Sequence, residues 1–145
     1  IPVIFVTAET APEVITAGFD AGCCDEASVD ATIKELFDTY HYLCDTHTAV
    51  AVEVYDDYVK RTGDDIPTVI DSTASPYKFS KSVLTAVMGG KVPELDEFSM
   101  VDELNNVSGV DVPKPLQALK DKAVRFNNVC DKENMSEMVF KLLNL

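Results

Sequence analysis

Apolar positions recur at three- and four-residue spacing over most of this chain, and that period predicts helices. Between Asp25 and Tyr40, the residues Val29, Ile33, Leu36, Phe37 and Tyr40 fall on one helical face. Asp25 precedes the run and can accept from its first free N–H groups, with Glu26 favourable at the positive helix end. A second helix is predicted from Thr48 to Arg61, with Ala51, Val54, Tyr55 and Tyr58 as its stripe and Gly63 as its stop. A third carries Phe79, Val83, Ala86 and Val87; Pro76 or Tyr77 sits in its first turn, and Gly89-Gly90 ends it. A fourth runs from Asp96 to Asn105 with Phe98, Val101 and Leu104 inward. A short fifth over Pro115–Lys122 carries Leu116 and Leu119. A last helix after Asp131 carries Met135, Met138, Val139, Leu142 and Leu143.

Strand signals are fewer. Thr68-Val69-Ile70 is a short β-rich run that reads as a buried strand, with Val3–Val6 and Arg125–Val129 as weaker candidates. The expected class is therefore α/β, rich in helix and with few strands. A lone interior strand leaves its N–H and C=O groups unpaired at roughly 1–3 kcal/mol each, so it must join a sheet. A sheet that this chain cannot supply must come from elsewhere in the protein. The first residue is Ile1 rather than a methionine, which agrees with a longer parent chain.

Composition narrows the classes. The 145 residues are 46% apolar and 26% charged, which suits one globular domain with a core of its own. No run approaches the roughly 18 apolar residues of a membrane helix, and the apolar run Ile1–Val6 has no basic segment before it, as a secretion signal would. A formal net charge of -13 repels nucleic-acid phosphates and anionic lipids, so neither nucleic acid nor membrane is an expected partner. The cysteines Cys23, Cys24, Cys44 and Cys130 contain no C-x-x-C pair, and free thiols in a reducing cytoplasm are expected.

Three groups of residues could carry chemistry. The first is Val69-Ile70-Asp71-Ser72-Thr73-Ala74-Ser75-Pro76-Tyr77-Lys78-Phe79, a strand, a polar turn and a helix start. Ligands of α/β sheets sit at such strand ends, near helix N-termini that attract anions. Ser and Thr are equally the ordinary caps of helices. The second is His41-Tyr42-Leu43-Cys44-Asp45-Thr46-His47, which could ligate zinc or pair a thiol with histidine, or could simply be an interhelical turn capped by Asp45 or Thr46. The third, Asp56-Asp57 with Asp64-Asp65, lacks the alternating ligands and closing Glu of a calcium loop and reads as a solvated face.

Two of these runs together resemble the threonine synthase family. Asp45-Thr46-His47-Thr48-Ala49-Val50-Ala51 is similar to its D-x-H-T-A-V-A element. Ser72-Thr73-Ala74-Ser75-Pro76-Tyr77-Lys78-Phe79 is similar to its S/A-T-A-x-P-x-K-F turn. Ala31–Glu35, Tyr42–Asp45 and Cys130-Asp131-Lys132 fit the surroundings, so the resemblance covers about residues 17–143. It divides the chain into an unplaced N-terminal segment, 1–16, and a C-terminal portion of the large domain, 17–145. The resemblance implies the tryptophan-synthase-β-like fold of pyridoxal-phosphate enzymes (fold type II). It also implies the conversion of O-phosphohomoserine and water into threonine and phosphate, in the cytoplasm.

Further implications concern single residues. The resemblance implies that a neutral hydroxyl faces the unprotonated pyridine nitrogen of the cofactor, and by position in the motif that hydroxyl is Thr73, with Ser72 as substitute. Ser75 and Lys78 are candidates for holding a phosphate, and His47 for lining the cleft. The family's Schiff-base lysine, in a Ser/Asn-Phe-Lys-Asp-like segment, is not among these residues, nor is its glycine-rich phosphate loop. The expectation is a C-terminal fragment that needs the N-terminal part of the same enzyme as its partner, binds no cofactor alone and is inactive alone. The alternatives are a non-catalytic acidic interaction domain on the same scaffold, or a related pyridoxal-phosphate lyase with another substrate.

Overall fold

The computed structural model describes residues 22–90, 92 and 94–145. The N-terminal segment 1–16, with its strand candidate Val3–Val6, lies outside the described residues. Helix α1 spans Glu26–Tyr40, and its cap Asp25 accepts from the Ser28 N–H at 2.8 Å. Helix α2 spans Thr46–Thr62 and ends at Gly63, whose φ of 70° is open to glycine without strain. A 3-10 turn over Pro76–Phe79 leads directly into α3, Ser80–Val87. Helix α4 spans Glu97–Ser108, where Asp96 accepts from the N–H groups of Phe98 and Ser99. After it come the short α5, Lys114–Gln117, a 3-10 turn over Lys132–Asn134, and α6, Met135–Leu143.

The core forms where the apolar stripes of α1, α3 and α4 meet the start of α2. Helix α3 packs on α1 and on α4, and α1 packs on α2. Ile33 of α1, Val83, Leu84, Ala86 and Val87 of α3 and Leu104 of α4 are buried together with Ala49 of α2 and Leu43 and Cys44 of the α1–α2 connection. Full burial of an Ile or Leu side chain stabilises by roughly 1.5–3 kcal/mol. Tyr77 closes the core from the 3-10 turn, and its hydroxyl donates to the Val110 carbonyl beyond α4. That carbonyl also accepts from Asn105 Nδ2 at 2.6 Å, so the loop after α4 is tied to the turn before α3.

The helices agree with the sequence periodicity within a few residues, whereas the strands do not. Among the described residues there is no strand, and the expected strand at Thr68–Ile70 is an irregular segment with Val69 89% exposed. Arg125–Val129 is likewise irregular and exposed. The physical reason is the one that a lone strand implies: without a neighbour to complete the ladder, its backbone groups are better satisfied by water. The helix expected over Pro115–Lys122 shrinks to the four residues of α5, since so short a segment with little to pack against is marginal. Helix α6 forms as expected, but Met135, Val139, Phe140, Leu142 and Leu143 stay exposed.

Candidate functional site

The two polar runs of the sequence meet at the N-terminus of α2. Asp45 starts that helix because its short carboxylate, on an extended backbone, reaches the N–H groups two and three residues on. It accepts from the His47 N–H at 2.9 Å and the Thr48 N–H at 3.4 Å through Oδ1, while Oδ2 accepts from the Thr48 hydroxyl. Ser72, 24 residues further along, brings its Oγ to 3.0 Å from Thr48 Oγ1 and to 3.5 Å from Asp45 Oδ2. The imidazole of His47 lies with Nδ1 3.4 Å from Asp45 Oδ1, and its ring packs on that of Phe79 at 5.0 Å between centroids. Each run thus contributes both a polar and an aromatic contact to the same junction.

Asp45 is the electrostatic centre of the junction. Its side chain has no exposed surface, and Thr48 is 5% exposed. Burial by itself would push the Asp45 carboxyl up. The Thr48 hydroxyl and the N–H groups of His47 and Thr48, with a smaller contribution from the His47 imidazole, outweigh it and hold the carboxyl below its ordinary value. At neutral pH the group is an ionised acceptor surrounded by donors.

The other residues singled out from the sequence lie around this centre in different ways. Thr73 is exposed on the turn next to Ser72. Ser75 caps the 3-10 turn, its Oγ accepting from the Tyr77 N–H at 3.3 Å. Lys78 is exposed on that turn. Beside His47 the described residues form an open cleft of about 680 Å³, which Asp25, Asp30, Thr46, Lys81 and Ser82 also line. A second, of about 550 Å³, runs past Lys78, Phe98 and Leu116. Neither is lined by Ser72 or Thr73, and both of these residues are exposed.

The His41–His47 run is an interhelical turn rather than a gathered site. His41 sits at the C-terminus of α1 in the left-handed region, with φ 53°. Cys44 is buried, and desolvation together with the neighbouring Asp45 charge pushes its thiol up to about 11, the opposite of an activated nucleophile. Of the third run, Asp64 accepts from the Tyr58 hydroxyl at 2.8 Å and Asp57 pairs with Lys60 at 3.6 Å, so these are surface contacts around the end of α2.

The sequence offers Asp45 as a cap but does not single out Thr48 as its partner. The signal was present in the spacing: a threonine at the third helical position after an aspartate cap can donate back to that carboxylate. Nothing in the sequence paired Thr48 with Ser72.

Residues 48–139 match a family model described as threonine synthase, C-terminal. The chain is 38% identical over 85 residues to threonine synthase of Schizosaccharomyces pombe, an alignment that covers 56% of this chain and 16% of that protein. It is 34% identical over 87 residues to threonine synthase-like 1 of Homo sapiens, covering 60% of this chain and 11% of that protein. The chain therefore spans less than a fifth of the length of these curated relatives.

Proposed function

Because the chain belongs to the threonine synthase family through its C-terminal region, we propose that it supplies one wall of a pyridoxal-phosphate site in a longer enzyme. That enzyme would convert O-phosphohomoserine and water into threonine and phosphate. The observation that carries this reading is the junction itself. The two runs that resemble the family's motifs are separated in sequence, yet Thr48 Oγ1 and Ser72 Oγ lie 3.0 Å apart.

The residues present suit one side of such a cofactor. Thr73 is an exposed, uncharged hydroxyl next to an anchored Ser72, and it keeps a proton to donate toward an unprotonated ring nitrogen. Ser75 uses its oxygen as an acceptor in the cap and retains its own proton, so with the exposed Lys78 it can hold a phosphate group. The cofactor, when bound, supplies the electron sink for carbanion chemistry. This chain's residues would bind and orient it; His47, held between Asp45 and Phe79, would flank it. The lysine that anchors the cofactor and the loop that cups its phosphate belong to the rest of the enzyme in this reading, so the 145 residues alone turn over nothing.

The test is made on the full-length protein that contains this chain. With pyridoxal phosphate and O-phosphohomoserine it should release phosphate and threonine in equal amounts, and Thr73→Val should lower turnover with the helical content unchanged. The chain by itself should release neither product. Full-length protein that folds but consumes no O-phosphohomoserine would refute the reading.

A further inference from the structure

Asp45 Oδ1 and Oδ2 both accept, and the hydroxyl of Thr48 has a single proton, which goes to Asp45 Oδ2. Thr48 Oγ1 can then only accept from the neighbour 3.0 Å away, Ser72 Oγ. Among the described residues, the other acceptor within reach of Ser72 is Asp45 Oδ2 itself, at 3.5 Å. By either route the hydroxyl of Ser72 is tied inward to Thr48 and Asp45. Thr73, next in the chain and exposed, has no such commitment among the described residues.

We propose that Asp45 and Thr48 are positioning residues for the cofactor-facing turn. They hold Ser72 by a directed chain of hydrogen bonds, Ser72 to Thr48 to Asp45, and so present Thr73 as the donor. The inference rests on the reading given under Proposed function. The chain is built to be rigid: Asp45 and Thr48 are nine-tenths or more buried, Asp45 as the cap and Thr48 in the first turn of a 17-residue helix packed on α1. Among the described residues no buried side-chain polar atom lacks a partner, so the buried side chains of Asp45 and Thr48 cannot reorient without breaking a bond. A hydroxyl held this way fixes the backbone of the adjacent residue. Misplacement of a reacting or binding group by about 1 Å is enough to lower a rate by up to 10²-fold.

The experiment uses the full-length protein and four variants: Thr48→Val, Thr48→Ser, Ser72→Ala and the Thr48→Val/Ser72→Ala double. Cofactor affinity is read from the visible absorbance of added pyridoxal phosphate, and kcat and KM from phosphate release. Thr48→Val and Ser72→Ala should each weaken cofactor binding and lower kcat by about tenfold, with KM within about twofold. Thr48→Ser, which keeps the hydroxyl, should restore both. The double variant should be no worse than the more affected single, because the two groups act in one chain. Losses that multiply in the double variant would overturn the proposal, as would a Ser72→Ala enzyme with unchanged affinity or a Thr48→Ser enzyme as impaired as Thr48→Val. If Thr48→Val does not fold, Thr48→Ser and Ser72→Ala still decide, since Ser72 lies at the surface. Wild-type protein that binds no cofactor refutes the functional reading itself, a result distinct from wild-type binding with unaffected variants.

Discussion

Replacing Asp45 by alanine should destabilise this chain more than any other single loss of a helix cap. The residue is buried and receives the His47 N–H at 2.9 Å, the Thr48 N–H at 3.4 Å and the Thr48 hydroxyl. Loss of the cap costs about 1 kcal/mol, within a range of roughly 0.5–2. The Thr48 hydroxyl loses its charged acceptor in a site that is 5% exposed, and a buried group left short of a partner adds about 1–3 kcal/mol. The sum is about 2–4 kcal/mol, which for a chain of this size lowers the unfolding midpoint by roughly 6–12 °C. Asp45→Asn keeps the cap oxygen and should cost less than half as much.

Urea and thermal unfolding followed by the helical circular dichroism signal measure both variants. The dependence on pH supplies a second check. The carboxyl of Asp45 lies below its ordinary value in the folded chain. Its stabilisation is therefore fully present above the unfolded value of about 4 and is lost as pH falls through the lower folded value. The gap between wild type and Asp45→Asn should be constant near neutrality and close in acid. An alanine variant within about 0.5 kcal/mol of wild type, or a gap to asparagine that widens in acid, would refute the electrostatic account.

The core and the thiols give two further tests. Leu84→Ala empties a fully buried position on α3, the helix that packs on both α1 and α4, and should cost about 2–5 kcal/mol in urea unfolding; a cost below about 1 would mean that the three helices are not packed as described. In the native chain at pH 8 a thiol reagent should modify exposed Cys23 well before Cys44, whose thiol burial pushes up to about 11. Because that folded value is raised, Cys44 leaves stability unchanged below about pH 8 and weakens it progressively as pH rises from about 9 toward 11. Equal labelling of the two thiols in folded protein would contradict the burial of Cys44.

Local rules reach a long way into this fold. Asp25, Asp45 and Asp96 each cap a helix that the periodicity predicts, and Gly63 ends α2 in the left-handed conformation that its place after the apolar run implies. These features are legible because the bonds that make them join residues within about four positions of one another, so a short stretch of sequence contains both donor and acceptor. Most of the buried stripe of α3 is legible for a related reason: Val83, Ala86 and Val87 recur at helical spacing and are buried, while the structure adds Leu84 and Ser80 to them.

What the chain does at long range was decided by the tertiary structure. Val69 has the β-branched neighbours of a strand, yet a strand exists only with a partner, and among the described residues none is there. Leu43 and Cys44 have no periodic pattern and are buried because α1 and α2 close over their connection. Thr48 and Ser72, 24 residues apart, become hydrogen-bonded neighbours only when the segment after α2 returns to that helix's first turn. Pattern and composition named the residues of both polar runs. Their convergence on one buried carboxylate depends on a chain reversal whose energy is spread over the whole helical core, and no local signal records it.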